Sequence, residues 1–115
     1  AEKTAQDWLA AWNAHDLEAI LSHDDPAIVF TSPFVGPLTG GISGTLAGLE
    51  KLRDHFSKAL AAYPDLAFRP VNVLAGVSSL VVYYESVGGR MSAELMELNP
   101  AGKIARVLAH DGPPR

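Results

Sequence analysis

The chain has 115 residues, 48% hydrophobic and 19% charged, which is ample for one core and shows no composition of disorder. Its net charge of −4 is the wrong sign for a nucleic-acid binder, and the lack of cysteine excludes disulfides, thiolate metal sites and a cysteine nucleophile. No apolar run approaches the ~20 residues that span a bilayer, and the absence of a signal segment in a sequence opening at Ala1 points to the cytoplasm.

Ala5, Trp8, Leu9 and Trp12 recur at i, i+3, i+4 and i+7, one face of an α-helix. Asn13-Ala14-His15-Asp16 breaks that pattern. Asp16 is placed to cap a second, short helix whose apolar face is Leu17, Ile20 and Leu21. Ser22 to Pro26 ends it, and Ala27 to Ser32 reads as a β-branched apolar strand. Pro33 to Ala47 contains Pro33, Gly36, Pro37, Gly40, Gly41 and Gly44, and reads as a long connection of the kind that forms lids and binding loops. Gly48 precedes a third long pattern, with Leu49, Leu52, Phe56, Leu60 and Tyr63 as its helical stripe and Pro64 as its stop.

From Leu66 the period changes to two. Leu66 and Phe68 share a face, Pro70 intervenes, and Val71 and Val73 continue one residue out of phase, the mark of an edge strand or a bulge. Ser79 to Val87 is a strand, Gly88-Gly89 a two-residue hairpin signal, and Arg90 to Leu98 the return. Asn99 to Gly102 turns the chain into Lys103 to His110. Helix, helix, strand, helix and four antiparallel strands make an α+β fold, expected as one domain over residues 1–115.

A two-residue turn at Gly88-Gly89 pairs Glu85 with Ser92 and Tyr83 with Glu94. One face then carries Val81, Tyr83, Glu85, Ser92, Glu94 and Met96. The other carries Leu80, Val82, Tyr84, Met91, Ala93, Leu95 and Glu97. The last hairpin stays open between two registers. A four-residue loop puts Ala105, Val107 and Ala109 on the Glu94 face; a three-residue loop with a bulge at Gly102 puts Arg106, Leu108 and His110 there.

Trp8 through Asp16-Leu17, the strand end at Ser32-Pro33, Gly48-Leu49-Glu50-Lys51-Leu52 and Gly102-Lys103-Ile104-Ala105-Arg106-Val107 together resemble the SnoaL-like polyketide cyclases. These belong to the nuclear transport factor 2-like superfamily, with ketosteroid isomerases as relatives. The resemblance spans nearly the whole chain. It implies a cone-shaped, cystatin-like fold, in which a curved antiparallel sheet wraps around helices and encloses a pocket, and it implies dimers. The oxyanion-stabilising acid of ketosteroid isomerases falls on Glu94, which favours the four-residue loop. Their base aspartate falls on Ser32 and their oxyanion-hole tyrosine on Trp8. The last-strand acid of related epoxide hydrolases and cyclases falls on Ala109. None of these three residues can do the matching chemistry.

Glu94, oriented by Tyr83, is the expected catalytic pair, because a desolvated carboxyl has its pKa raised toward the range useful for acid–base work. The expected pocket lining is Trp8, Trp12, Phe30, Ser32, Phe34, Phe56, Val81, Glu85, Ser92, Met96, Val107 and Ala109. His110 is a runner-up base under the alternative register. His23-Asp24-Asp25 is no metal site, since three adjacent side chains point different ways, and the glycine-rich segment lacks the Gly-Lys-Ser/Thr ending of a phosphate loop. Neither metal nor cofactor is expected, and neither nucleic acid nor membrane as a partner. The expected ligand is a small apolar or polycyclic molecule, and the expected chemistry is isomerisation or cyclisation by proton transfer, or hydrolysis. A non-catalytic binder and a dimerising association domain are the rival readings. The apolar face of Leu80, Val82, Tyr84, Met91, Ala93 and Leu95 is expected to be covered by a second copy in a homodimer.

Overall fold

The computed structural model describes residues 2–39 and 43–114. Helix α1 (Glu2–Asn13) buries Ala5, Trp8, Leu9, Ala11 and Trp12 along one stripe. The chain leaves it through His15 at a positive φ of 55°. This corner is fastened to the segment before the later strands: the Asn13 side chain donates to the Phe68 carbonyl (3.0 Å) and accepts from the Phe68 N–H (2.7 Å). The His15 ring meets the Leu66 carbonyl at 2.8 Å. Asp16 caps α2 (Leu17–Leu21) by accepting from the Ala19 N–H, so the sequence expectation for this cap holds.

Strand β1 (Asp24–Thr31) begins three residues before the Ala27 start expected from sequence. Pro26 is accommodated because it falls inside an irregular stretch of β1's pairing, between Asp24 and Val29, where the missing N–H removes no ladder bond. The segment read as one long connection contains a short helix α3 (Val35–Thr39) and a short strand β2 (Thr45–Ala47) that pairs antiparallel with β1. Both elements are too short to show a period. Gly40 and Gly41, named in that expectation, lie outside the described residues. Helix α4 (Leu49–Ala62) buries Leu52, His55 and Phe56.

The remaining strands are β3 (Arg69–Ala75), β4 (Ser79–Glu85), β5 (Met91–Leu98) and β6 (Ile104–Asp111). The sheet runs β2-β1-β6-β5-β4-β3. It is antiparallel except where β1 lies parallel to β6, a departure from the all-antiparallel expectation. β3 is an edge strand with a register shift between Pro70 and Asn72 that leaves Val71 outside the ladder. One continuous core joins Trp8, Trp12, Leu52 and Phe56 of the helices to Ile28, Phe30, Leu80, Val82, Tyr84, Met96, Ile104 and Val107 of the sheet.

The β4–β5 hairpin corrects the sequence reading. The Ser86 N–H donates to the Arg90 carbonyl (2.7 Å), so Val87, Gly88 and Gly89 all lie inside the closing pair. Gly88 and Gly89 take positive φ (67° and 76°), as such a tight turn requires. The turn holds three residues rather than two, and the register becomes Glu85↔Met91, Tyr84↔Ser92 and Val82↔Glu94. One residue of slip moves every β4 side chain to the opposite face. Leu80, Val82 and Tyr84 therefore turn into the core, while Val81, Tyr83 and Glu85 face away from it.

The β5–β6 hairpin reaches the expected facing by another route. Its turn is closed by the Asn99 N–H on the Lys103 carbonyl (2.9 Å), with Gly102 at φ 81°. That is the three-residue form. A register shift between Leu98↔Ile104 and Glu97↔Arg106 then leaves Ala105 outside the ladder, and Glu94↔Ala109 and Met96↔Val107 follow. Val107 and Ala109 thus share the Glu94 face. His110 pairs with Ala93 on the other face and is exposed, which removes it as a pocket base.

Candidate functional site

Between α1, α4 and the inner face of the sheet lies a cavity of about 240 Å³. Trp8 and Trp12 come from α1, His55 and Phe56 from α4, Phe30 from β1, Tyr84 from β4, Glu94 from β5, and Val107 and Ala109 from β6. The helical stripes and the strand alternation converge here, so the residues that make the core also make the walls. Ring contacts hold the walls in place. Phe68 stacks on Trp8 at 5.7 Å, Tyr84 meets Trp8 edge-on at 5.7 Å, and Phe56 meets Trp12 edge-on at 4.8 Å.

At the centre of the sheet wall, the Tyr84 hydroxyl donates to Glu94 Oε1 at 2.7 Å. The two residues are diagonal neighbours on adjacent strands, since Tyr84 pairs with Ser92 and Val82 with Glu94. Burial pushes the Glu94 carboxyl up to about 7; the Tyr84 hydroxyl opposes this by favouring the ionised form, and nearby Asp111 and Asp24 add to the rise. Burial, then the charge of Glu94, holds the Tyr84 hydroxyl protonated well above its ordinary range. Tyr84 is therefore a permanent donor, and Glu94 is the group that changes charge.

A second carboxyl belongs to the same cavity. Asp24, at the start of β1, is buried and pushed up to about 7 by desolvation, with Lys103 opposing the shift. His55 is shifted the other way: burial lowers its pKa, with Asp54 raising it and Lys58 lowering it, which favours the neutral imidazole. Its Nδ1 and the Trp12 Nε1 have no hydrogen-bond partner among the described residues. At the rim, the Arg90 guanidinium lies 5.5 Å above the Phe34 ring.

Trp8, Trp12, Phe30, Ser32, Phe34, Phe56, Glu94, Val107 and Ala109, all expected from sequence, line the cavity. Val81, Tyr83 and Glu85 do not, because of the turn slip. Ser92 and Met96 share the Glu94 face without reaching the open space: Ser92 Oγ donates to Asp111 Oδ1 (2.6 Å), and Met96 is sealed in the core. Tyr84, Asp24, His55, Phe68, Arg90 and Asp111 were missed. A signal existed for His55, which adjoins Phe56 in the α4 stripe. Asp24 carried none once the strand was begun after Pro26. Of the His23-Asp24-Asp25 run, Asp24 faces the cavity, while Asp25 accepts from the Ala27 N–H (2.7 Å) and the Asn99 side chain (2.9 Å). Among the described residues no group of three such side chains is placed to hold a metal ion, and no helix is long and apolar enough to cross a membrane.

Among curated proteins none matches the sequence. Solved structures do. A SnoaL-like protein of unknown function from Burkholderia thailandensis is 36% identical, with a TM-score of 0.92 over 98% of this chain and 95% of that one. A nuclear transport factor 2-like protein of unknown function from Cytophaga hutchinsonii is 14% identical, with a TM-score of 0.73 over 97% of this chain and 89% of that one. The epoxide hydrolase/cyclase-like enzyme SalBIII, of pyran ring formation in the polyether salinomycin, is 16% identical, with a TM-score of 0.75 over 96% of this chain and 89% of that one. The last two show a shared fold. The family model of the SnoaL-like domain matches residues 5–110, and with the α+β sheet-and-helix cone around the Glu94 cavity the chain belongs to the SnoaL-like family.

Proposed function

We propose that this protein takes up a small, largely apolar molecule in the cavity and transfers a proton on it through Glu94, oriented by Tyr84. The observation that carries this reading is the 2.7 Å bond from the Tyr84 hydroxyl to a buried carboxyl in an aromatic wall. Tyr84 occupies Oε1 and leaves Oε2 for a ligand. A carboxyl held near neutrality can both accept and return a proton, which suits isomerisation, cyclisation or the addition of water. The fold shared with SalBIII, an epoxide hydrolase/cyclase-like enzyme, supports that range of reactions.

A non-catalytic binder is the second reading. Ser32 and Ala109 line the cavity at positions where the resemblance puts acids of relatives, and neither can serve as a base. Native mass spectrometry of freshly purified protein, followed by turnover of any co-purifying molecule, separates the two. Conversion by the unaltered protein and its loss in Glu94→Gln support catalysis. Retention of the molecule unchanged supports the binder, and conversion by both proteins removes Glu94. A β,γ-unsaturated ketosteroid should not be isomerised, because Ser32 stands where the base is needed.

We also propose a homodimer through the outer sheet face. That face is no longer the one expected, since Leu80, Val82 and Tyr84 are core; its apolar residues are Val81, Tyr83, Met91, Ala93, Leu95 and Leu108, beside Glu85, Glu97, Arg106 and His110. Sedimentation as a monomer at micromolar concentration overturns it.

A further inference from the structure

Three carboxyls line the cavity, those of Asp24, Glu94 and Asp111. Against them, Arg90 is the one guanidinium or ammonium group among the described lining residues, and it sits at the rim over Phe34. Asp24 is only 9% exposed, yet its side chain takes no hydrogen bond and no ion pair among the described residues. Lys103 acts on it only through space, since the Lys103 ammonium donates to the Ser22 carbonyl at 2.7 Å. Glu94 has one oxygen on Tyr84 and the other without a donor among the described residues. Asp111 Oδ1 accepts from Ser92, and its buried Oδ2 has no partner among the described residues.

Unpaired buried carboxyls are costly in their charged form, and a cation is the group that offsets that cost. The aromatic lining supplies the other half of the recognition. Trp8, Trp12, Phe30 and Phe56 bring aromatic rings to the same space, and ring faces attract cations. We infer that the cavity selects a protonated amine carried on an apolar or aromatic body, with Asp24 and Glu94 as its counter-charges. This deepens the pocket reading above and rests on it.

The pH dependence follows from the groups around these acids. Glu94 is faced by Tyr84, Asp111 and Asp24; Asp24 by Lys103 and Glu94; His55, Tyr63 and Arg90 complete the titratable or charged lining. Without a counter-charge, burial keeps Asp24 and Glu94 partly protonated near pH 7. An ammonium favours their ionised forms, so protons leave as the amine enters, and amine affinity rises as pH passes upward through neutrality.

The test uses three probes of one body, phenylbutylamine, phenylbutanol and phenylbutyrate, titrated against the fluorescence of the two cavity tryptophans. At about pH 8 the amine should bind at least about tenfold more tightly than the alcohol, and the acid most weakly. The advantage should shrink at about pH 6 and in Asp24→Asn, with circular dichroism checking the variant's fold. Glu94→Gln gives the same reading if Asp24→Asn does not fold. Equal binding of amine and alcohol, or tightest binding of the acid through Arg90, overturns the inference and leaves the pocket standing. If none of the probes alters the fluorescence, the pocket reading itself fails, and this inference with it.

Discussion

Tyr83 and Tyr84 are consecutive residues of one strand, yet Tyr83 is 41% exposed and Tyr84 is 3% exposed. The carboxylates divide the same way. On the outer face Glu85 meets Arg69 at 2.6 Å and Glu97 meets Arg106 at 3.4 Å, in reach of water. On the inner face Glu94 pairs with the Tyr84 hydroxyl and, among the described residues, with no arginine. Surface ion pairs of the first kind are worth little, because solvent screens them. The second kind carries a desolvation cost that a single neutral donor does not cancel, and that residual cost raises its pKa to about 7. What separates the buried carboxyl from the ion-paired ones here is the side of the sheet on which it stands.

The contrast is tested most strongly by removing the two tyrosines in turn. Tyr84→Ala takes away the ring packed on Trp8 and Phe68 and the donor to Glu94, and should cost ~3–5 kcal/mol. Tyr83→Ala should cost less than ~1 kcal/mol in the monomeric fold. Equal losses in denaturant titrations would break the distinction between the faces. Glu94→Gln comes next. Its folded value of about 7 lies above the ordinary 4.5, so Glu94 favours folding below the unfolded value and loses that contribution as pH rises through about 7. The variant should therefore be more stable by about 3 kcal/mol at about pH 8, and nearly equal to the parent in acid. Clear destabilisation at neutral pH would make Glu94 a paired structural carboxylate. The smallest effect belongs to Glu97→Gln on the outer face, within ~0.5 kcal/mol of the parent midpoint.

Much of this architecture was legible because periodicity survives in long elements. The α1 stripe, the Asp16 cap, the α4 stripe and the alternation of β5 were readable, and Glu94 with them. Tyr84 was lost for a local reason. Facing across a hairpin depends on whether the turn is odd or even, and Gly88-Gly89 looks like a complete two-residue turn until Val87 joins it. Asp24 was lost because Pro26 looks like the end of a loop, although the ladder is already interrupted there. For β6 the resemblance selected the right face while the turn length behind it was wrong. The Ala105 bulge reconciles the two.

That bulge, with the one at Val71, bears on how the chain can change in length. Val71 and Ala105 each stand outside a ladder, between pairs that already face the correct way. Deleting either residue closes the ladder without turning any other side chain over. Deleting one residue elsewhere in β4, β5 or β6 inverts everything beyond it, exchanging Tyr84 for Tyr83 or Ala109 for His110. Insertions and deletions in β3 to β6 are therefore most tolerable at these two addresses, and lengths along the family should vary there before they vary elsewhere in those strands.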